Sequence, residues 1–172
     1  DDDLFYKTRN GINLIEQPDN SKRQPKRLVY TNRPERGLDN LLFNIMPKLW
    51  EKDPEIELCL AGCDNTHPNM EQFYNTCYAK VAEYQQKGFK IAHLGALSKK
   101  ELYELYKTCT LYIYPTAFHE TSCITAMESQ MCGIPMITSH IGALPETLCN
   151  EGNILVYGDY KNEPEYNEEF VE

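Results

Sequence analysis

The sequence predicts an α/β domain built on a doubly wound parallel sheet of about six strands. Three observations carry that expectation. Short apolar runs alternate strictly with stretches of helical period, the runs are apolar enough to be covered on both faces, and several units close on Gly or a Pro-containing turn.

Arg27 to Thr31 is the first apolar run, closed by a Pro-containing turn; Leu38, Leu41, Leu42, Ile45 and Leu49 then follow helical spacing. Ile56 to Ala61 reads as a second strand ended by Gly62, and Met70, Phe73, Tyr74, Cys77, Val81 and Tyr84 mark a long helix that stops at Gly88. Lys90 to Leu94 is a third strand, followed by a short helix around Leu102, Leu105 and Tyr106. Leu111 to Tyr114 is a fourth, and Ser122 to Cys132 a helix closed by Gly133. Pro135 to Thr138, a short helix at Leu144 to Leu148, and Asn153 to Val156 complete six strands. In a Rossmann-like order 3-2-1-4-5-6, the first and fourth strands are neighbours and ligands bind where their C-terminal ends part. The loops after Thr31 and after Tyr114 are then expected to face each other.

A chain of 172 residues, 41% hydrophobic and 25% charged, suits one well-buried domain. The net charge of -9 argues against a sequence-independent nucleic-acid binder. Much of that charge lies in Asp1 to Asp3 and in Glu163, Glu165, Glu168, Glu169 and Glu172, read as solvated, partly disordered ends. No apolar run reaches the roughly 20 residues of a membrane span, and the Asp-Asp-Asp start has the wrong sign for a signal peptide. A soluble, cytoplasmic domain is expected. The seven cysteines fall mostly inside apolar runs, with no Cys-x2-Cys pair, so they read as core residues of a reducing compartment and not as zinc ligands or a disulfide framework.

The loop after the first strand, Asn32-Arg33-Pro34-Glu35-Arg36-Gly37, places two guanidiniums at the mouth of the sheet. They suit a diphosphate clamp, because Arg offers phosphate oxygens a fork of donors. A pair of surface arginines beside Glu35 fits the spacing equally. The Gly-x-Gly-x-x-Gly of dinucleotide enzymes is missing here. After the fourth strand, Ser122 is a reasonable N-cap, and the amides that follow it form an anion site. Glu120 and Glu128 lie about 10 Å apart at helical rise, which suits gripping separate hydroxyls of one elongated ligand.

Glu120-x7-Glu128, Cys132-Gly133-Ile134-Pro135 and Gly142-Ala143-Leu144-Pro145-Glu146 together resemble the signature of family 4 retaining glycosyltransferases of GT-B fold, the glycosyl transferases group 1. Asn10-Gly11-Ile12-Asn13, Arg36-Gly37-Leu38, Leu60-Ala61-Gly62 and His93-Leu94-Gly95 resemble further pieces of the C-terminal, nucleotide-sugar-binding domain, in order. The resemblance spans roughly residues 10 to 160. It implies residues 1–13 as a linker remnant, 14–160 as the binding domain and 161–172 as an acidic segment leading to further helices.

What the resemblance implies for the site is specific. Glu120 contacts the donor sugar, Glu128 the ribose hydroxyls, and Arg36 with Arg33 the diphosphate. The backbone of Ser122, Cys123 and Ile124 meets phosphate, and the stretch around Leu94 the nucleobase. The donor is a UDP-, GDP- or ADP-sugar, with no further cofactor and no metal, Arg and amides taking the cation's place. Cys123 stands where the family commonly has Gly, and Arg36 where it has Lys. The acceptor domain is expected to be absent from these residues, which makes the chain an incomplete piece, inactive alone, of an enzyme able to touch a membrane peripherally.

His119 next to Glu120 has no evident partner acid, and His67, His93 and His140 are too scattered for a metal site. Two rival readings remain: a non-catalytic nucleotide- or partner-binding module, and another Rossmann-type enzyme such as an oxidoreductase or a sugar epimerase.

Overall fold

In the computed structural model, the structure describes residues 10–14, 20–62, 67–149, 151–159, 163 and 165–172. Six strands, β1 (Arg27–Tyr30), β2 (Glu57–Leu60), β3 (Ile91–His93), β4 (Leu111–Tyr114), β5 (Met136–Ser139) and β6 (Ile154–Val156), form one sheet. Their order is β3-β2-β1-β4-β5-β6, with every neighbouring pair parallel. The expected order is therefore observed, and β1 and β4 lie side by side. Val29, Tyr30, Leu58, Leu60, Tyr112, Ile113, Tyr114 and Met136 are buried. Neither face of the four central strands, β2, β1, β4 and β5, is left to water, as a parallel sheet requires.

The helical segment after β1 departs from a plain 3.6 period. It runs as α1 (Leu38–Asn40), a π turn over Leu41–Ile45 and α2 (Met46–Lys52). Pro47 in the first turn of α2 has no N–H to donate, and its ring crowds the carbonyl four residues back, so the preceding turn widens. The widening shifts the buried stripe to Leu38, Leu41, Leu42, Ile45, Met46 and Trp50, leaving Leu49 half-buried. Strict periodicity placed Leu49 in that stripe and passed over Met46 and Trp50.

Farther along, α3 (Glu71–Gln86) buries Tyr74, Cys77, Val81 and Tyr84 and stops before Gly88, whose φ of 82° is left-handed. The next helix, α4 (Lys99–Thr108), starts earlier than its apolar residues suggest. Ser98 Oγ accepts from the Glu101 N–H while the Glu101 carboxylate accepts from the Ser98 N–H, a reciprocal cap that fixes the first turn. Then come α5 (Ile124–Met131), α6 (Leu144–Thr147) and α7 (Glu165–Glu169).

The acidic C-terminal end is more ordered than its charge suggested. Glu165, Glu168 and Glu169 of α7 do face solvent, but Tyr166, Asn167, Phe170 and Val171 are buried between them. Asn40 Nδ2 donates to Asn167 Oδ1 at 2.8 Å, and Lys48 pairs with Glu168. The apolar residues interleaved with the acids are what bind this end to the core. The linker reading of residues 1–13 lies outside the described residues except for 10–13.

Of the cysteines, Cys59, Cys77, Cys109, Cys123 and Cys132 are buried and Cys149 is exposed, while Cys63 lies outside the described residues. Among the described residues, no helix is long and apolar enough to cross a membrane.

Candidate functional site at the β1–β4 switch point

The loops after β1 and β4 meet, as the strand order demands. A 3₁₀ turn, Pro34–Arg36, carries the chain out of the β1 loop to Gly37, whose φ is 109°. A Cβ on Gly37 would run into the Pro115 carbonyl of the β4 loop, so only Gly allows the two loops to come this close.

That approach delivers Arg36 to Glu120. Arg36 Nη1 lies 2.9 Å from Glu120 Oε1, and its guanidinium covers the Phe118 ring at 4.1 Å from the centroid. Glu120 is only 8% exposed. The Tyr114 hydroxyl, at the end of β4, donates to the same Oε1 at 2.7 Å. Burial first, and then the neighbouring Glu120 carboxylate, push the Tyr114 phenol well above its ordinary range, so it remains a donor. Oε2 of Glu120 accepts no hydrogen bond from the described residues.

Glu120's backbone is held from the β5–α6 side. Ala143 N–H donates to the Glu120 carbonyl at 2.7 Å, and a Cβ on Gly142 would stand 2.6 Å from that same oxygen. The Gly142-Ala143 pair thus has a physical task, which spacing alone did not disclose: it lets one loop lie flat against the backbone of the carboxylate.

Glu128, on α5, is 3% exposed. Its Oε1 accepts from the Tyr103 hydroxyl at 2.9 Å and pairs with the Lys99 ammonium, both from α4. Neither partner was among the residues singled out from sequence. The Ser-x-x-Glu cap at Ser98 and Glu101 is the signal that could have placed Lys99 and Tyr103 on one helical face.

The remaining candidates are positioned as follows. Arg33 Nε pairs with Glu35 at 2.6 Å, the neighbour that spacing allowed. Leu94 follows β3 and is 42% exposed. Ser122 is not the N-cap; Cys123 is, with no side-chain cap bond, and the helix starts at Ile124. The reason is burial. Cys123 is enclosed while Ser122 stays half-exposed, so the core contact of the thiol decides where the helix begins. Burial also raises the Cys123 thiol to about 11, which leaves it a small neutral residue and not a nucleophile. The N–H groups of Ser122, Cys123 and Ile124 donate to no acceptor among the described residues, so the start of α5 offers three free amides beside two anchored carboxylates.

Known proteins share both the sequence pattern and the fold. The sequence model of the family described as "Glycosyl transferases group 1" matches residues 13–170. A uncharacterized glycosyltransferase of Methanocaldococcus jannaschii is 29% identical over 132 residues, covering 76% of this chain and 30% of that protein. A subunit of the human phosphatidylinositol N-acetylglucosaminyltransferase is 27% identical over 122 residues, covering 71% of this chain and 22% of that protein. The chain therefore spans less than a third of these curated relatives. Among solved structures, Anabaena HepE in complex with UDP and glucose superposes with a TM-score of 0.60 at 15% identity, over 84% of this chain and 38% of that one. At that identity the likeness shows the shared fold.

Proposed function

The chain belongs to the glycosyl transferases group 1 family and has the parallel sheet of GT-B glycosyltransferases, and from that premise we propose that its cleft binds a nucleoside-diphosphate sugar for retaining, metal-independent transfer to an acceptor hydroxyl. The observation that carries this reading is the Arg36–Glu120 contact, which puts a cation and a carboxylate together where β1 and β4 part.

In this reading Arg36, with Arg33, draws on the diphosphate, and the amides of Ser122, Cys123 and Ile124 add donors at the start of α5. Glu120 accepts from hydroxyls of the sugar and Glu128 from those of the ribose, while the base lies against the Leu94 loop. Breaking the bond between the anomeric carbon and the diphosphate oxygen leaves charge on the departing nucleotide. Stabilising that charge with fixed donors is the main contribution of this domain, and Arg and amides serve where other enzymes use a cation. The acceptor is held by a segment outside residues 13–170, in keeping with relatives of which this chain covers 22% and 30%. The chain alone is then expected to bind donor nucleotide and to transfer no sugar; robust transfer by it alone would overturn that part.

A Rossmann-type oxidoreductase fits less well, because Asn32 to Gly37 has no Gly-rich phosphate turn. A non-catalytic module would have no need of two buried carboxylates each fixed through one oxygen. Isothermal titration with UDP, GDP, ADP, CDP and NAD separates the nucleotide-sugar reading from an oxidoreductase and from a module that binds only a protein partner. Binding of one or more nucleoside diphosphates is the expected result, and binding of NAD alone, or of none, contradicts it.

A further inference from the structure

Glu128 and Glu120 are anchored in the same way: one oxygen receives both a cation and a tyrosine hydroxyl, and the other receives nothing from the described residues. At Glu128 both anchors come from α4. Lys99 opens the helix and Tyr103 follows one turn later on the same face, and the reciprocal cap between Ser98 and Glu101 holds that turn rigid. Lys99 is well exposed apart from this contact, its side chain 66% accessible against 5% for Glu128.

A buried carboxylate needs partners to be retained, and the choice of partners decides which oxygen stays open. With both donors on Oε1, Oε2 is left as the acceptor. Burial first, then the bond to Glu128, raise the Tyr103 phenol to about 12, so it stays a donor across the working range of pH.

We infer that Lys99 and Tyr103 are positioning residues that fix the Glu128 carboxylate through Oε1 and so reserve Oε2 for the ribose hydroxyls of the bound nucleotide. This rests on the nucleotide-sugar reading above and extends it to two residues that touch no reacting atom. The device makes recognition of the ribose a property of α4 as much as of α5.

The test compares ribonucleotide with dideoxynucleotide. Whichever of UDP, GDP or ADP the chain binds is titrated beside its 2′,3′-dideoxy counterpart, in the unaltered protein and in Tyr103→Phe, Lys99→Met and Lys99→Arg. A hydrogen bond to a charged acceptor supports a preference for the ribose form of about tenfold or more in the unaltered protein. Tyr103→Phe and Lys99→Met each lower that preference at least about threefold while the affinity for the dideoxy form stays within about twofold, and Lys99→Arg restores the preference. A merely structural role would instead weaken both ligands equally. Tyr103→Phe removes only the hydroxyl and keeps the ring, so it decides the matter if Lys99→Met does not fold. A preference unchanged in both Tyr103→Phe and Lys99→Met overturns this inference alone. Failure of the unaltered chain to bind any of the three nucleotides overturns the nucleotide-sugar reading and this inference with it.

Discussion

Arg36 and Glu120, 84 positions apart in sequence, meet at 2.9 Å between the loops after β1 and β4, where the strand order reverses. Two loops that a sequence shows as unrelated become one site through this contact. Glu120 is buried and Arg36 is its only cationic partner among the contacts described, so the pair ties the two loops to each other.

Arg36→Met is expected to weaken a bound nucleoside diphosphate about tenfold or more, and the corresponding nucleoside hardly at all, since the role proposed for the guanidinium is to draw on phosphate. Titration of UDP and uridine, or of the preferred base, measures the contrast. Equal losses for both would separate Arg36 from the diphosphate.

Gly142→Ala tests the loop that lies against Glu120. The added Cβ meets the Glu120 carbonyl and N–H at 2.6 and 2.7 Å, at a φ of 57° that L residues rarely adopt. A loss of about 2 kcal/mol or more of stability is expected, together with weaker nucleotide binding. Chemical denaturation and titration report the two effects; an unchanged midpoint would show that the loop relaxes freely.

Tyr166→Ala tests whether α7 belongs to the folded unit. Tyr166 is 2% exposed and packs on Phe170 with ring centroids 5.2 Å apart. Emptying that site is expected to cost about 3–5 kcal/mol. A melting temperature within a degree or two of the unaltered protein would mean that α7 is dispensable.

Thiol chemistry follows from burial. At pH 8, Cys149 is expected to be alkylated well before Cys59, Cys77, Cys109, Cys123 and Cys132, of which Cys77, Cys123 and Cys132 are raised by burial to about 12, 11 and 11. Raised values leave those three thiols protonated at that pH, so unfolding must come first. Peptide mapping of a time course reads the order directly.

Much of this fold was legible because its signals are local or periodic. β4 runs over Leu111–Tyr114 as the apolar run indicated, and the parallel order followed from strand–helix alternation. Three features escaped for physical reasons. Pro47 widened a helix and moved its buried face, which a fixed period cannot represent. The Cys123 thiol outcompeted the Ser122 hydroxyl for the end of α5, because core burial outweighs a capping preference. α7 was hidden behind its own charge, the acids of its solvent face masking Tyr166, Phe170 and Val171. In the site, Arg36, Glu120 and Glu128 could be singled out by type and spacing; the cap at Ser98 and Glu101 could place Lys99 and Tyr103 on one helical face, but not against Glu128, and nothing marked Tyr114. Their roles depend on which helix or strand end faces which carboxylate, and that is set by tertiary packing alone.

The location of the ligand is the central claim, and amide chemical-shift mapping tests it most directly. With the ¹⁵N-labelled chain and the nucleoside diphosphate that binds best, the largest shifts are predicted at Gly37, His93 to Gly95, and Cys123 to Thr125. Gly37 follows β1, Cys123 to Thr125 follow β4, and His93 to Gly95 lie at the C-terminal end of β3, on the same side of the parallel sheet. Shifts gathered instead around Gln130, Gly133, Cys149 and Asn153, which line a separate pocket, would contradict the account.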